Sequence, residues 1–517
     1  MKSKGHKRAA VIDIGSNSIK LIIGEENGNN ISVLESLKSI VPFARQAFYK
    51  GRVSHDAINQ TLCILEKYKQ LLKGYEITDV RVVATTAIRE ARNRDIFIDT
   101  IFRKTGLDIE VLNTGDVVNY LDSFLSQKLS NRYPINSKNV IIAELGSGSL
   151  DISLMGKGYP MMNIGLPIGT MRLKQLMDAI QGSVSEGFDA AKEAIDNEFS
   201  YLNRSLSTIP FDDIILIDET YSFYLQNILP EKNIESNFFI LNRDESKLIL
   251  DRVAEKNPED IATDYDIPEE IAEVISQYGL ILYNLFTLGN RENIFILEAS
   301  LSEAILTGML LKKEISRKIS RKKQLVSMAI FICKKYGLDV EHAYQVARLS
   351  SILFKSLSWQ MGLKSTDLIY LTLASYLHDI GLFIHNRAHH KHTEYIISTL
   401  DLFGLSEQEM RIIATTARYH RKGAPVTRHL LYGSMPKESQ LLVQKLSAIL
   451  RIANALDRSH KQKVKSISVR FNRENEITLF ATVKGSIVLE KMDFIEKKDL
   501  FEDITGCKIN LIVQDEN

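Results

Sequence analysis

Near the start of the chain, apolar residues run almost unbroken on both sides of one carboxylate, in Val11-Ile-Asp-Ile-Gly-Ser-Asn-Ser-Ile-Lys-Leu-Ile-Ile23. A strand covered on both faces requires such a run, and the Gly-Ser-Asn-Ser interruption predicts a tight turn followed by a return strand. Further on, the pattern predicts a strand over 31–36, a helix over 55–73, a buried strand over 80–84, a helix over 95–105 and a strand over 109–112. Residues 1–125 therefore read β-β-β-α-β-α-β. The style restarts in Asn139-Val-Ile-Ile-Ala-Glu-Leu-Gly-Ser-Gly-Ser-Leu-Asp-Ile-Ser-Leu154, again strand, Gly-Ser turn, strand, with Glu144 at the bend. Two hairpins, each with an acid just before a Gly-Ser turn, predict an internal repeat: two related lobes, 1–125 and 126–311, facing each other across a cleft. The pattern fades near residue 310. A basic run over 312–323 reads as a solvated helix or linker. Residues 324–460 have helical periodicity and several histidines. Short alternating runs at 466–471, 476–480 and 509–513 predict a small α+β domain over 465–517.

Bulk composition changes this picture little. Of 517 residues, 44% are apolar and 25% charged, and 65 basic against 64 acidic residues leave a net charge of +1. No overall field draws such a chain to nucleic acid or an anionic membrane. Cys63, Cys333 and Cys507 lie far apart without metal spacing, which predicts free thiols and a reducing compartment. No apolar run approaches the ~18–20 residues that span a bilayer. The basic start is followed by a run containing Asp13 and Asn17, unlike a signal peptide. The expected location is the cytoplasm.

The chemistry suggested by the first hairpin is that of a phosphate site. Gly15 lets the backbone approach a ligand closely, Ser16, Asn17 and Ser18 offer donors, and Asp13 is set to hold a metal or the water around one. An ordinary hairpin with a polar tip is the plainer alternative.

Five segments in order resemble the Ppx/GppA group of exopolyphosphatases and guanosine pentaphosphate phosphohydrolases. They are Asp13-Ile-Gly-Ser-Asn-Ser-Ile-Lys-Leu21, Val83-Ala-Thr-Thr-Ala-Ile-Arg-Glu-Ala91, Glu144-Leu-Gly-Ser-Gly-Ser-Leu-Asp151, Leu166-Pro-Ile-Gly-Thr-Met-Arg-Leu173 and Tyr376-Leu-His-Asp-Ile-Gly-Leu-Phe383. The resemblance implies an α/β two-lobed fold of the actin, Hsp70 and sugar-kinase type with ribonuclease-H-like lobes. An all-α HD-type domain and a small α+β C-terminal domain follow. It implies release of a terminal phosphate from inorganic polyphosphate or a guanosine penta- or tetraphosphate in the inter-lobe cleft. Asp13 and Glu144 would hold Mg²⁺ between the lobes. Gly15, Ser16, Asn17 and Ser18 would supply donors from one side, and Gly146, Ser147, Gly148 and Ser149 from the other. Lys20 and Arg89 would neutralise phosphate oxygens, since positioning and electrostatics dominate phosphoryl transfer. Catalytic candidates are Asp13, Glu144, Asp151 and Asp116. Longer members of this kind pair through the C-terminal half, so a homodimer is expected.

Departures from the family pattern cluster at this site. Glu144 replaces an aspartate, Ser147 a glycine, Leu150 a threonine and Asp151 a glutamate. The family's Ser-Gly-x-Glu-Glu segment, whose glutamate activates water, corresponds to Leu112-Asn-Thr-Gly-Asp-Val-Val-Asn119, placing either Asp116 or Val117 at the base. Valine cannot take a proton, and a lost general base costs ~10²–10⁴ in rate. Asp218-Glu-Thr220 stands for a Gly-Gly-Thr turn, bringing two negative charges to the phosphate path. Leu301-Ser-Glu-Ala304 stands for Leu-Arg-Glu-Gly, losing a cation.

The HD-type set His342, His378, Asp379 and Asp457 is complete, and imidazole with carboxylate suits a divalent metal. His385, His389, His390, His392 and His420 crowd the same region, and Arg418, Arg421 and Lys422 are candidates to meet a polyanion. Three functions therefore compete: a Mg²⁺-dependent phosphohydrolase in the cleft, a metal-dependent phosphohydrolase in the HD-type domain, and a sensor that binds a phosphate-rich ligand without turnover.

Overall fold

The computed structural model describes residues 7–515, apart from 29, 130–131, 181–182, 208, 312–313, 401, 403–404, 422 and 473–474. Lys422, one of the polyanion candidates, lies outside the described residues. The chain forms two compact units, Met1–Lys318 and Ile319–Asn517.

The first unit holds two sheets. In one, the strands β1 (Arg8–Ile14), β2 (Ser18–Asn27), β3 (Asn30–Ile40), β4 (Val80–Ala84) and β5 (Ile109–Val111) lie in the order β3-β2-β1-β4-β5. Strands β1, β2 and β3 form an antiparallel meander, and β4 and β5 join β1 in parallel. The second sheet repeats the plan with β6 (Asn139–Leu145), β7 (Leu150–Gly156), β8 (Tyr159–Leu166), β9 (Asp213–Asp218), β10 (Phe238–Asn242) and β11 (Asn293–Glu298), ordered β10-β11-β9-β6-β7-β8. Both hairpin turns are closed alike: the Gly15 N–H donates to Ser18 O at 3.0 Å, and the Gly146 N–H to Ser149 O at 2.9 Å.

Strand parity decides what these hairpins bury. Side chains alternate faces along a strand. Ala10, Ile12 and Ile14 pack into one core with the helix His55–Gly74. Ala9 and Val11 pack into another, built on the helices Thr114–Lys128 and Leu301–Leu310 and shared with Val140, Ile142 and Met155 of the second sheet. Asp13 has the parity of Val11, Glu144 that of Ile142, and Asp151 that of Met155. All three carboxylates thus face the layer between the sheets, where a core residue would otherwise stand.

In the second unit, helices Val340–Leu357, Asp367–Leu377, His389–Thr399, Glu407–Arg418 and Lys437–Ala455 pack together. A three-stranded sheet follows, in which β13 (Glu476–Val483) pairs antiparallel with β12 (Val464–Asn472) and parallel with β14 (Lys508–Asp515). The basic run at 312–323 falls largely on the helix Glu314–Lys335. Among the described residues, no helix is long and apolar enough to cross a membrane. All three cysteines are free thiols.

Candidate active site

The two hairpin turns meet in one cavity of about 110 Å³, lined by Asp13, Glu144, Asp151, both Gly-Ser turns and the loop after β9. That is room for several waters or for a phosphate group. At Gly148 the lobes approach tightly: a Cβ there would meet the Phe48 ring at 2.4 Å and Ser16 Oγ at 3.0 Å. Gly169 presses on the second turn, since its Cβ would lie 2.3 Å from Gly148 N and Ser147 C. Around them the lobes are tied by Thr86 Oγ1 to Ser149 Oγ at 3.0 Å and by Arg172 to Glu90 at 2.7 Å.

Asp13 is 7% exposed. Its Oδ2 accepts from the Ser302 hydroxyl at 3.2 Å, and its Oδ1 has no hydrogen-bond partner among the described residues. Burial pushes this carboxyl up, against the pull of Lys20. Glu144 and Asp151 are directly opposed in the β6–β7 register. Burial, helped by the charges of Asp151 and Asp13, raises Glu144 to about 8. Three inward carboxylates with an orphaned oxygen are the oxygen donor set a Mg²⁺ ion takes. Asp13 and Glu144 would hold it, and it would neutralise their charge and that of a phosphate.

The remaining expected residues fall into three groups. Gly15, Ser16, Asn17, Ser18, Lys20, Arg89, Gly146, Ser147, Gly148 and Ser149 all line the cavity. Two cations among them have partners in the protein: Arg89 donates to Leu112 O at 2.8 Å and Thr86 Oγ1 at 3.2 Å, and Lys20 pairs with Glu219 across the lobes. Burial works against the Lys20 charge, but Glu219 and Asp13 outweigh it. Asp116 stands apart from the lining: it is the third residue of its helix, and its Oδ2 accepts from Asn113 N at 3.1 Å in a capping box. Val117, one residue on, is the side chain that faces the cavity.

Of the two negative charges at 218–219, Asp218 is turned inward. It is 2% exposed and caps its own loop by accepting N–H groups of Thr220 at 2.9 Å and Tyr221 at 3.1 Å. Glu219 is the one of the two that pairs with Lys20. Glu219→Gln is expected to free Lys20 for an anion and lower the KM for a phosphate-rich substrate ~3–10-fold at low salt, fading at high salt. Steady-state kinetics at two ionic strengths checks this, and an unchanged or higher KM contradicts it. The contacts made here by Ser302, Thr86 and Arg172 are additions to the expected site. Ser302 occupies a position first read as a missing cation, and its hydroxyl serves Asp13 instead.

The second unit gathers its own cluster. His378 follows the helix Asp367–Leu377, and its Nδ1 bonds Ser375 O at 2.8 Å. The Nδ1 atoms of His389 and His420 bond Asn386 O at 3.0 Å and Ala417 O at 2.7 Å. His342 Nδ1 bonds Asp457 Oδ2 at 2.8 Å, and Asp457 Oδ1 accepts from Gln462 N at 2.7 Å. Asp457 therefore stands behind His342 and orients it, while Asp379 lies at the centre. Burial holds His378 down to about 4 and His420 well below its ordinary range. Burial alone would raise Asp379, but the surrounding imidazoles, His378 foremost, hold it far below the usual carboxylate range. His385 is exposed and accepts from Arg387 N at 2.8 Å, and His392 is half-buried outside the cluster. His460, not anticipated, stacks on His342 with centroids 3.6 Å apart.

Two lobes built on acid-bearing hairpins enclose carboxylates and two Gly-Ser turns, an arrangement whose N–H and hydroxyl donors suit an anionic ligand. The Ppx/GppA phosphatase family model matches residues 21–313, and the model of Ppx/GppA phosphatase domain III matches 327–500. The chain belongs to the Ppx/GppA phosphatase family. It is 22% identical over 476 residues to a guanosine-5'-triphosphate,3'-diphosphate pyrophosphatase of Aliivibrio fischeri, covering 90% of each chain. It is 24% identical over 479 residues to the protein of that name from Pseudoalteromonas atlantica, covering 88% of this chain and 87% of the other. Among solved structures, an exopolyphosphatase from Cytophaga hutchinsonii superposes with a TM-score of 0.52 at 18% identity, over 59% of this chain and 98% of that one. The Aquifex aeolicus Ppx/GppA family member gives 0.50 at 23%, over 60% and 99%.

Proposed function

We propose that this protein hydrolyses a phosphoanhydride in the cleft of the first unit, releasing a terminal phosphate with Mg²⁺ held by Asp13 and Glu144. The carrying observation is the buried Oδ1 of Asp13, without a hydrogen-bond partner among the described residues, beside Glu144 and Asp151 in a cavity with room for a phosphate group. Family membership supports the reaction class. The names of relatives aligned over 88–90% of the chain favour a guanosine 5'-triphosphate 3'-diphosphate as substrate, with polyphosphate second. Bound Mg²⁺ supplies charge neutralisation at the phosphate. The chain's own residues do the rest: the Gly-Ser turns cradle the terminal group, and Lys20 and Arg89 meet its oxygens. With Val117 at the family's base position, Asp151, opposite Glu144 in the hairpin register, takes the water proton as a substitute base.

The test is phosphate release by the purified protein from guanosine pentaphosphate and, separately, from long-chain polyphosphate, with Mg²⁺ and then with chelator. The expected result is multiple turnovers on the guanosine substrate that stop when Mg²⁺ is removed. No turnover on either substrate would overturn the reading, and turnover on polyphosphate alone would reassign the substrate.

A further inference from the structure

The row of side chains that begins at Asp13 continues beyond the cleft cavity. In the β1–β2 register Asp13 stands opposite Lys20, and in the β2–β3 register Lys20 stands opposite Lys38. Residues opposite one another in an antiparallel pair share a face, so all three lie on the face of the sheet that carries Asp13. Strand β3 is an edge of that sheet. The row therefore runs from a buried carboxylate, through the Lys20 ammonium at the cavity, to an exposed lysine on the edge strand.

Like charges directly opposite each other destabilise a sheet. Glu219 pairs with Lys20, and among the described residues no carboxylate forms an ion pair with Lys38. Burial, and after it the charge of Lys20, holds the Lys38 ammonium below its ordinary range, while Glu219 and Glu270 pull the other way. Glu219 follows β9 and Glu270 lies in the first turn of the helix Glu269–Leu285, both in the second lobe. Lys38 therefore feels the far wall of the cleft. A lysine that merely blunts a sheet edge works as well on either face. This one stands on the face of Asp13, beside a second ammonium.

An anion between two ammonium groups turns their repulsion into two attractions. Opposite residues have Cβ atoms about 5 Å apart, and flexible stems let both ammonium groups close on neighbouring phosphates. The cavity has room for a terminal phosphate, so the phosphate that follows it lies toward the mouth. We propose that Lys38 is a specificity-determining residue of the cleft, binding the second phosphate of an anhydride chain whose terminal phosphate rests on the Gly-Ser turns and Lys20. The inference rests on the phosphoanhydride reading above and adds what the site selects: two linked phosphates over a lone one. In the reaction, the oxygen of water bonds to the terminal phosphorus and the bond from that phosphorus to the bridging oxygen breaks. The bridging oxygen leaves with the second phosphate, and the water proton passes to Asp151. Charge grows on the second phosphate as that bond breaks, and the Lys38 ammonium is there to meet it.

The test reads binding rather than turnover. The full chain is titrated calorimetrically in Mg²⁺ with methylenediphosphonate, whose carbon bridge resists hydrolysis, and separately with orthophosphate. Wild type is expected to hold the diphosphonate at least about 10-fold more tightly than orthophosphate. Lys38→Ala should weaken the diphosphonate about 5–10-fold and leave orthophosphate within about 2-fold, and Lys38→Arg should recover most of the loss. Equal wild-type affinities for the two probes overturn the proposal, whether or not the variants fold. No loss in Lys38→Ala, or the same loss for both probes, also overturns it. Absence of phosphate release from any substrate, with these affinities as expected, would overturn the hydrolase reading and still support Lys38 as the residue that binds the second phosphate.

Discussion

Val117→Glu is expected to raise the rate of phosphate release by about 10²–10⁴-fold, the worth of a general base. Val117 is 3% exposed, sits in the first turn of the helix Thr114–Lys128 and lines the cavity beside Asp13, Glu144 and Asp151. A carboxylate near a helix N-terminus is favoured by the macrodipole, while three neighbouring acids and the apolar wall push its pKa up. Both effects suit a base working near neutral pH. The cost is a polar group against Leu121 and Leu125, so the variant should also melt earlier. Val117→Leu, which fills the same space without a proton acceptor, should gain nothing. A folded Val117→Glu protein no faster than wild type would show that Asp151 already gives the full effect of a base and that position 117 adds nothing.

Glu144→Gln should have a large effect of opposite sign on two readouts. Losing one of the two carboxylates that hold the cation should slow phosphate release about 10²–10³-fold. The same change should stabilise the metal-free protein. Glu144 is raised from 4.5 to about 8 in the fold, so the folded state prefers it protonated. That preference contributes stability in full below about pH 4.5 and is lost as pH rises through about 8. In chelator at pH 8 the variant should therefore melt about 2–5 °C above wild type, and the gap should close at pH 5. A lower melting temperature at pH 8 would mean that the Glu144 charge is compensated within the protein.

Much of the first unit was legible because strands buried on both faces leave a strong signal. The expected strand at 80–84 is β4 to the residue, and the helix expected at 55–73 runs His55–Gly74. Glu144 and Asp151 flank a short turn, so hairpin register alone sets them face to face. What the sequence hid are contacts across long separations. Ser302 lies 289 residues from the Asp13 it serves, and Glu219 lies 199 from Lys20. Substitutions that looked like losses in isolation are partly compensated there, since Asp218 is hydrogen-bonded by the N–H groups of its own loop and Ser302 gives Asp13 a hydroxyl donor. Asp116 attracted attention as the nearest acid to the base position, but its spacing from Asn113 is that of a capping box. In the second unit, helical phase separates His389, which faces Asp379, from His392, and only the folded chain brings His460 onto His342.

The cleft assignment turns on Asp13, whose Oδ1 is buried without a partner among the described residues. Asn preserves the shape and removes the charge that a cation requires. The direct measurement is the initial rate of phosphate release from guanosine pentaphosphate in Mg²⁺ by wild type and by Asp13→Asn. Turnover by wild type, with a loss of about 10³-fold in the variant, is predicted. Equal rates in the two proteins would contradict the account and place the reaction outside the cleft.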